Sequence, residues 1–109
     1  MSVRLDTAAP NPLGSESIYW PEQGRTLVIG SRAIDLTRTE YRLLAPLRAG
    51  VPVTYAGLAS SAYGCLLDAK VRTMLDKHID RIRGKLRGSG LYIYCILGYG
   101  YVLLPELSE

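Results

Sequence analysis

A chain of 109 residues, with 48% hydrophobic and 21% charged side chains, is one ordinary globular domain able to bury a core without disulfide staples. Its net charge of +3 is unevenly placed: Asp68 to Gly90 holds seven basic against three acidic side chains, and the rest of the chain sums to −1. Two cysteines and one histidine cannot supply a four-ligand zinc site, residues 1–14 hold no signal-peptide core, and no stretch approaches a membrane span, so a cytoplasmic protein without metal or membrane is expected.

Residues 1–14, with Pro10, Pro12 and Gly14, read as a flexible lead-in or linker. The folded domain is expected over 15–105, with 106–109 fraying behind Pro105. Three short β-prone pieces open it, at Ser17–Trp20, Arg25–Ile29 and Arg32–Leu36, and Gly30-Ser31 marks a tight turn between the last two. A small antiparallel meander is the economical arrangement.

At Thr37 the period changes. Glu40 follows three residues later, the capping-box spacing, and Tyr41, Leu44 and Leu47 then recur at helical intervals. Pro46 should kink or shorten the last turn. A second, short helix is expected over Tyr55–Tyr63, with Leu58 and Ala62 inward and Gly64 as its stop.

The third helix, from about Asp68 to Arg87, carries the strongest pattern. Val71, Leu75, Ile79, Ile82 and Leu86 fall on one stripe at about 100° per residue. Lys70, Thr73, Lys77, Asp80, Arg81 and Gly84 lie on the other side. Asp68 suits the N-cap, and Lys85 and Arg87 suit the negative end of the helix dipole. After Gly88-Ser89-Gly90, Leu91–Leu97 and Tyr101–Leu104 flank Gly98-Tyr99-Gly100, a hairpin signal.

Each functional feature has a plainer counterpart. A basic outer face is often only a solvated one. His78 is read as a packed structural residue rather than a ligand, and Tyr92, Tyr94, Tyr99 and Tyr101 as cross-strand packing rather than base-stacking platforms. Cys65 and Cys95 are expected as two separate buried thiols. No nucleophile is paired with a base, and Gly98 and Gly100 precede neither Lys-Ser/Thr nor a helix, so neither an enzyme nor a cofactor is expected.

Strands, three helices and a hairpin, in that order, define an α+β winged helix-turn-helix, whose basic third helix can neutralise phosphates and read guanine edges. The residues resemble one family. Leu36-Thr37-Arg38-Thr39-Glu40-Tyr41-Arg42-Leu43-Leu44 resembles the opening helix of the OmpR/PhoB-type response-regulator effector domain. His78 through Leu86 (HIDRIRGKL) resembles its recognition helix, and Ile93 through Tyr101 resembles its wing.

The resemblance covers roughly residues 15–104. It implies a DNA-binding transcription regulator of two-component descent, with double-stranded DNA and RNA polymerase as partners and a homodimer on direct repeats. Arg81 and Arg83 match positions that contact bases or phosphates, and Asp76 matches an acidic position of the motif. Tyr63 stands where a Trp often ends the second helix. Thr73 stands where an Arg often begins the recognition helix, with Arg72 adjacent, and helix geometry rather than the resemblance puts Lys70 and Lys77 on the exposed face as extra phosphate contacts.

Other departures are Leu97, where the wing usually carries an Arg, and Asp80, a negative charge on the expected DNA face. The Cys65–Arg72 stretch also differs from the usual polymerase-contacting loop. No receiver segment precedes the domain, so phosphorylation is expected not to be its switch unless the chain is a fragment. The alternative reading is a winged helix that has lost DNA binding and docks a protein.

Overall fold

A computed structural model describes residues 18–107. The lead-in expected over 1–14, Ser17 of the first strand and residues 108–109 lie outside them. The chain opens with an antiparallel meander of β1 (Ile18–Tyr19), β2 (Thr26–Ile29) and β3 (Arg32–Asp35). Gly30, at a φ of 58°, makes the turn between β2 and β3. Alternation sets the inward face: Leu27, Ile29 and Ile34 are buried, while Thr26 and Asp35 face each other outside and share a hydrogen bond of 2.7 Å. Arg32 Nη1 donates to the Arg87 carbonyl and ties this sheet to the end of the third helix.

The capping box forms as its spacing predicts. Thr37 Oγ1 accepts from the Glu40 amide at 3.1 Å, and Glu40 Oε1 accepts from the Thr37 amide at 2.9 Å, starting α1 (Arg38–Leu44). Pro46 shortens that helix. The chain tightens at Ala45–Leu47 into a 3₁₀ turn, with Pro46 in its first residues, where a missing N–H leaves no bond unmade. Next, α2 (Tyr55–Tyr63) is capped by the Thr54 hydroxyl and stopped by Gly64 in the left-handed region at a φ of 66°. Asp68 caps α3 (Ala69–Leu86) by accepting from the Val71 amide at 2.8 Å.

The hairpin closes the domain as β5 (Leu91–Ile96) and β6 (Gly100–Pro105). A two-residue strand missing from the sequence reading, β4 (Val53–Thr54), pairs with β6, so the second sheet has the order β4-β6-β5. Gly100 makes this possible. A Cβ there would fall on the Val53 carbonyl and 2.8 Å from Thr54 Cα, so only glycine lets the strands meet.

The helices and both sheets share one core. Leu43, Leu44, Leu47, Leu58, Leu75, Ile79, Ile82, Ile93 and Leu103 are fully buried in it, each contributing about 1.5–3 kcal/mol of transfer free energy. The stripe expected on α3 is buried along its whole length, which fixes the azimuth of every other α3 side chain. Glu106 and Leu107, expected in the frayed end, are hydrogen-bonded through their amides to the Gly90 carbonyl and the Tyr94 hydroxyl, at 2.7 and 2.8 Å. The cysteines require a correction. Both thiols are free, but both are exposed, because Cys65 follows the Gly64 stop in a loop and Cys95 lies toward the hairpin tip beyond the core.

Candidate nucleic-acid interface

With its apolar stripe facing inward, α3 presents three further strips. At about 100° per residue, Lys70, Thr73, Lys77, Asp80, Arg81 and Gly84 point away from the core, and Arg72, Asp76 and Arg83 turn toward the hairpin. Met74, His78 and Lys85 turn toward α1 and α2.

The outer strip is exposed throughout. Lys70, Lys77 and Arg81 make no hydrogen bond or ion pair among the described residues. Thr73 Oγ1 donates to the Ala69 carbonyl at 3.1 Å, so its proton is committed to its own helix. Gly84 leaves a gap in the strip, and a Cβ there would meet nothing within 4 Å.

The hairpin-facing strip is fully engaged. Arg72 Nε lies 3.2 Å from both Asp76 carboxylate oxygens, and its guanidinium sits 3.5 Å from the centroid of the Tyr55 ring. Asp76 also accepts from the Tyr101 hydroxyl at 2.6 Å. Burial first, and then this bond to a carboxylate, push the Tyr101 phenol well above its usual range, so it stays a donor. Tyr55 meets Tyr101 edge-on at 5.7 Å. Its hydroxyl contacts Cys95 Sγ at 3.5 Å, the main reason its pKa is raised, followed by burial.

About two turns further on, Arg83 Nε donates to the Ile93 carbonyl at 2.9 Å and Nη1 pairs with Asp80 at 3.0 Å. Tyr92 lies beneath its guanidinium, 5.0 Å from the ring centroid. Arg83 and the Asp76–Tyr101 bond therefore brace the hairpin against α3, while Arg72 holds Asp76 and packs on Tyr55 of α2. That brace sets the hairpin beside α3, with Leu97 at its tip 93% exposed.

On the opposite strip, the Tyr63 hydroxyl is 2.9 Å from His78 Nδ1, which is also 3.1 Å from the Met74 carbonyl, so this pair links α2 to α3. Burial first, and then the neighbouring Cys65, raise the Tyr63 pKa. Lys85 Nζ reaches the Asp35 carbonyl at 2.9 Å and Glu40 Oε1 at 2.6 Å. Burial works against the Glu40 charge, but the Lys85 and Thr37 bonds together outweigh it and hold the carboxyl below its usual range.

Of the eight side chains singled out from sequence, Lys70, Thr73, Lys77 and Arg81 share the outer strip. Arg72, Asp76 and Arg83 form the brace, and Tyr63 sits on the far flank. Sequence reasoning missed Tyr55 and the Asp76 bond of Tyr101. Tyr101 faces Cys95 on one side and Val53 on the other, a register that depends on β4, and two residues are too few to show a strand period.

No family model matches the chain and no curated protein is similar to it, but solved structures are. The DNA-binding domain of the response regulator AdeR, in complex with an intercistronic region, is 20% identical over 82% of this chain and 95% of its own, with a TM-score of 0.66. The Klebsiella pneumoniae RstA DNA-binding domain, in complex with the RstA box, is 22% identical over 74% of this chain and 84% of its own, at 0.63. A member of a streptococcal family of redox sensors evolved from two-component response regulators is 27% identical over 90% of this chain, at 0.68. This chain spans 44% of that longer protein.

The domain is α+β, and its fold is the winged helix of these response-regulator DNA-binding domains. No helix among the described residues is long and apolar enough to cross a membrane.

Proposed function

We propose that this domain binds double-stranded DNA and regulates transcription from the cytoplasm, with α3 lying in the major groove. The observation that carries this reading is the outer strip of α3. It holds three cations with no partner among the described residues, on a fold whose similar structures include two in complex with DNA. Lys70 and Lys77 neutralise phosphates and release counterions. Arg81, extended from the same strip, is the base reader, since a free guanidinium can pair with the O6 and N7 of guanine.

Arg83, the second reader implied by the resemblance, has Nε and Nη1 engaged and keeps Nη2 for a backbone phosphate. Arg72, Asp76 and Tyr63 act by position: Asp76 holds the hairpin, Arg72 holds Asp76, and Tyr63 orders the junction of α2 with α3. A homodimer on direct repeats and a contact with RNA polymerase complete the reading, on the strength of the resemblance.

A second reading, docking of a protein, is favoured by the bare apolar tip. Leu97 is 93% exposed and Tyr99 is 46% exposed, where a phosphate-binding hairpin would carry a cation. Fluorescence anisotropy with a random duplex pool and with the gene's own upstream region, at two salt concentrations, separates the two. Steeply salt-dependent binding that favours the upstream duplex supports the regulator. A folded protein that binds neither duplex at low salt leaves the docking module.

A further inference from the structure

Asp80 is the one charge on the outer strip of α3 with the wrong sign for a phosphate partner. Its carboxylate is 72% exposed, one helical turn from Gly84 and one residue from Arg81. It is also held in place. Oδ1 accepts a hydrogen bond from Arg83 Nη1, and Arg83 is itself fixed through Nε to the Ile93 carbonyl. Arg83 is only 22% exposed, so the anchor is rigid while the acceptor faces outward. Beside it runs an open groove of ≈320 Å³ between α3 and β5, lined by Asp80, Arg83, Gly84 and Tyr92 among others. The missing side chain at Gly84 leaves space for a large planar group to come close to Asp80 Oδ2.

A fixed carboxylate against duplex DNA is repelled by the backbone. It is tolerated only where it meets a hydrogen-bond donor. In the major groove only two base edges donate, the N4 amino group of cytosine and the N6 amino group of adenine. A carboxylate suits cytosine, because adenine also offers the N7 acceptor, which an anion leaves unmet and repels.

Resting on the DNA-binding reading above, we infer that Asp80 is a specificity-determining residue that accepts a hydrogen bond from a cytosine N4 amino group. The ion pair with Arg83 partly offsets its charge and aims it at the base. Arg81 supplies affinity and Asp80 supplies rejection: a thymine O4 or guanine O6 placed at the same point would face a carboxylate with no proton between them.

The test is a base-substitution binding series. A duplex selected from a random pool on the wild-type protein defines the site, and each of its base pairs is then replaced in turn. Wild type, D80A and D80N are titrated at one salt concentration, with thermal melting to confirm that each is folded. The wild-type protein is expected to prefer cytosine at one position by about tenfold or more. In D80A that preference collapses and random duplexes bind more tightly, because a repulsive charge is gone. D80N can still bond Arg83 and is expected to move the preference toward adenine, whose N6 and N7 an amide satisfies together.

A D80A variant that binds every duplex more tightly with its base preferences unchanged overturns the proposal. Asp80 would then be only the anchor of Arg83. A wild-type protein that selects no duplex at all overturns the DNA-binding reading itself, a distinguishable result.

Discussion

The outer face of α3 and its two flanks carry the same kinds of side chain and put them to opposite uses. Arg81 and Arg83 are two residues apart, yet Arg81 extends into solvent while Arg83 is clamped between a carbonyl of β5 and Asp80. Lys77 and Lys85 divide in the same way, since Lys85 reaches Asp35 and Glu40 across the core's rim. About 200° of rotation separates Arg81 from Arg83 and about 80° separates Lys77 from Lys85, enough in each case to carry the side chain from the outer strip to a flank. Charge on a helix says little until one knows which cations the fold has already engaged: the engaged charges of the flanks should alter stability, and the free cations of the outer strip should alter binding.

The largest effect is expected at Glu40, which caps α1 and receives Lys85 while 3% exposed. Glu40→Ala should cost about 3 kcal/mol, as a cap and a charge-assisted bond are lost together, read as a lowered denaturant midpoint. Its pH dependence has a definite sign. The folded carboxyl titrates below its usual value of 4.5, so the folded state holds this proton less tightly than the unfolded chain. The contribution is complete above that value and is lost as pH falls through the folded pKa. Glu40→Gln should flatten this part of the acid-denaturation curve, and an unchanged curve would remove Glu40 from the acid response.

Next is the brace. Asp76→Ala leaves the buried Tyr101 hydroxyl and Arg72 without their acceptor, and should cost about 2 kcal/mol. Chemical denaturation checks it. A loss of affinity without any loss of stability would move Asp76 from the brace to the interface and break the comparison.

Arg81→Ala should give the mirror result. The melting temperature should stay put while affinity for the selected duplex falls by about 1–3 kcal/mol, if a bidentate base contact is lost. Gly84→Ala should stabilise the domain by about 1 kcal/mol, because a helical glycine is replaced where a Cβ meets nothing. Calorimetry would show it as a higher melting temperature. The smallest effect is expected from Lys77→Ala, a uniform weakening across duplexes with the slope of log K against log salt reduced by about one. A sequence-dependent loss there would make Lys77 a reader.

Much of this architecture is legible in the sequence, because local signals and long-range packing agree. Thr37 and Glu40 announce α1, Asp68 and five apolar residues at helical spacing announce α3, and Gly64 marks the end of α2. Each depends on neighbours within a few residues. Those signals also give the azimuth of the outer strip, since burying the apolar stripe forces Lys70, Thr73, Lys77 and Arg81 outward. The cysteines, exposed rather than buried, are not legible in this way for the opposite reason: a thiol in a loop or near a hairpin tip has no periodic neighbours to show which way it faces.

Local spacing is enough to place the order of elements, the buried stripe and hence the candidate cations of α3. Which of these cations are free follows from contacts that only the folded chain makes. Arg83 meets Ile93, Lys85 meets Glu40 and Tyr101 meets Asp76 across separations of 10, 45 and 25 residues. Such partners are chosen by sheet register and helix packing rather than by spacing along the chain. The two-residue β4, admitted by a glycine at position 100, joins the hairpin to the chain just before α2, and no local periodicity encodes that pairing. Helical periodicity fixes where a side chain points, and the fold fixes what it meets there.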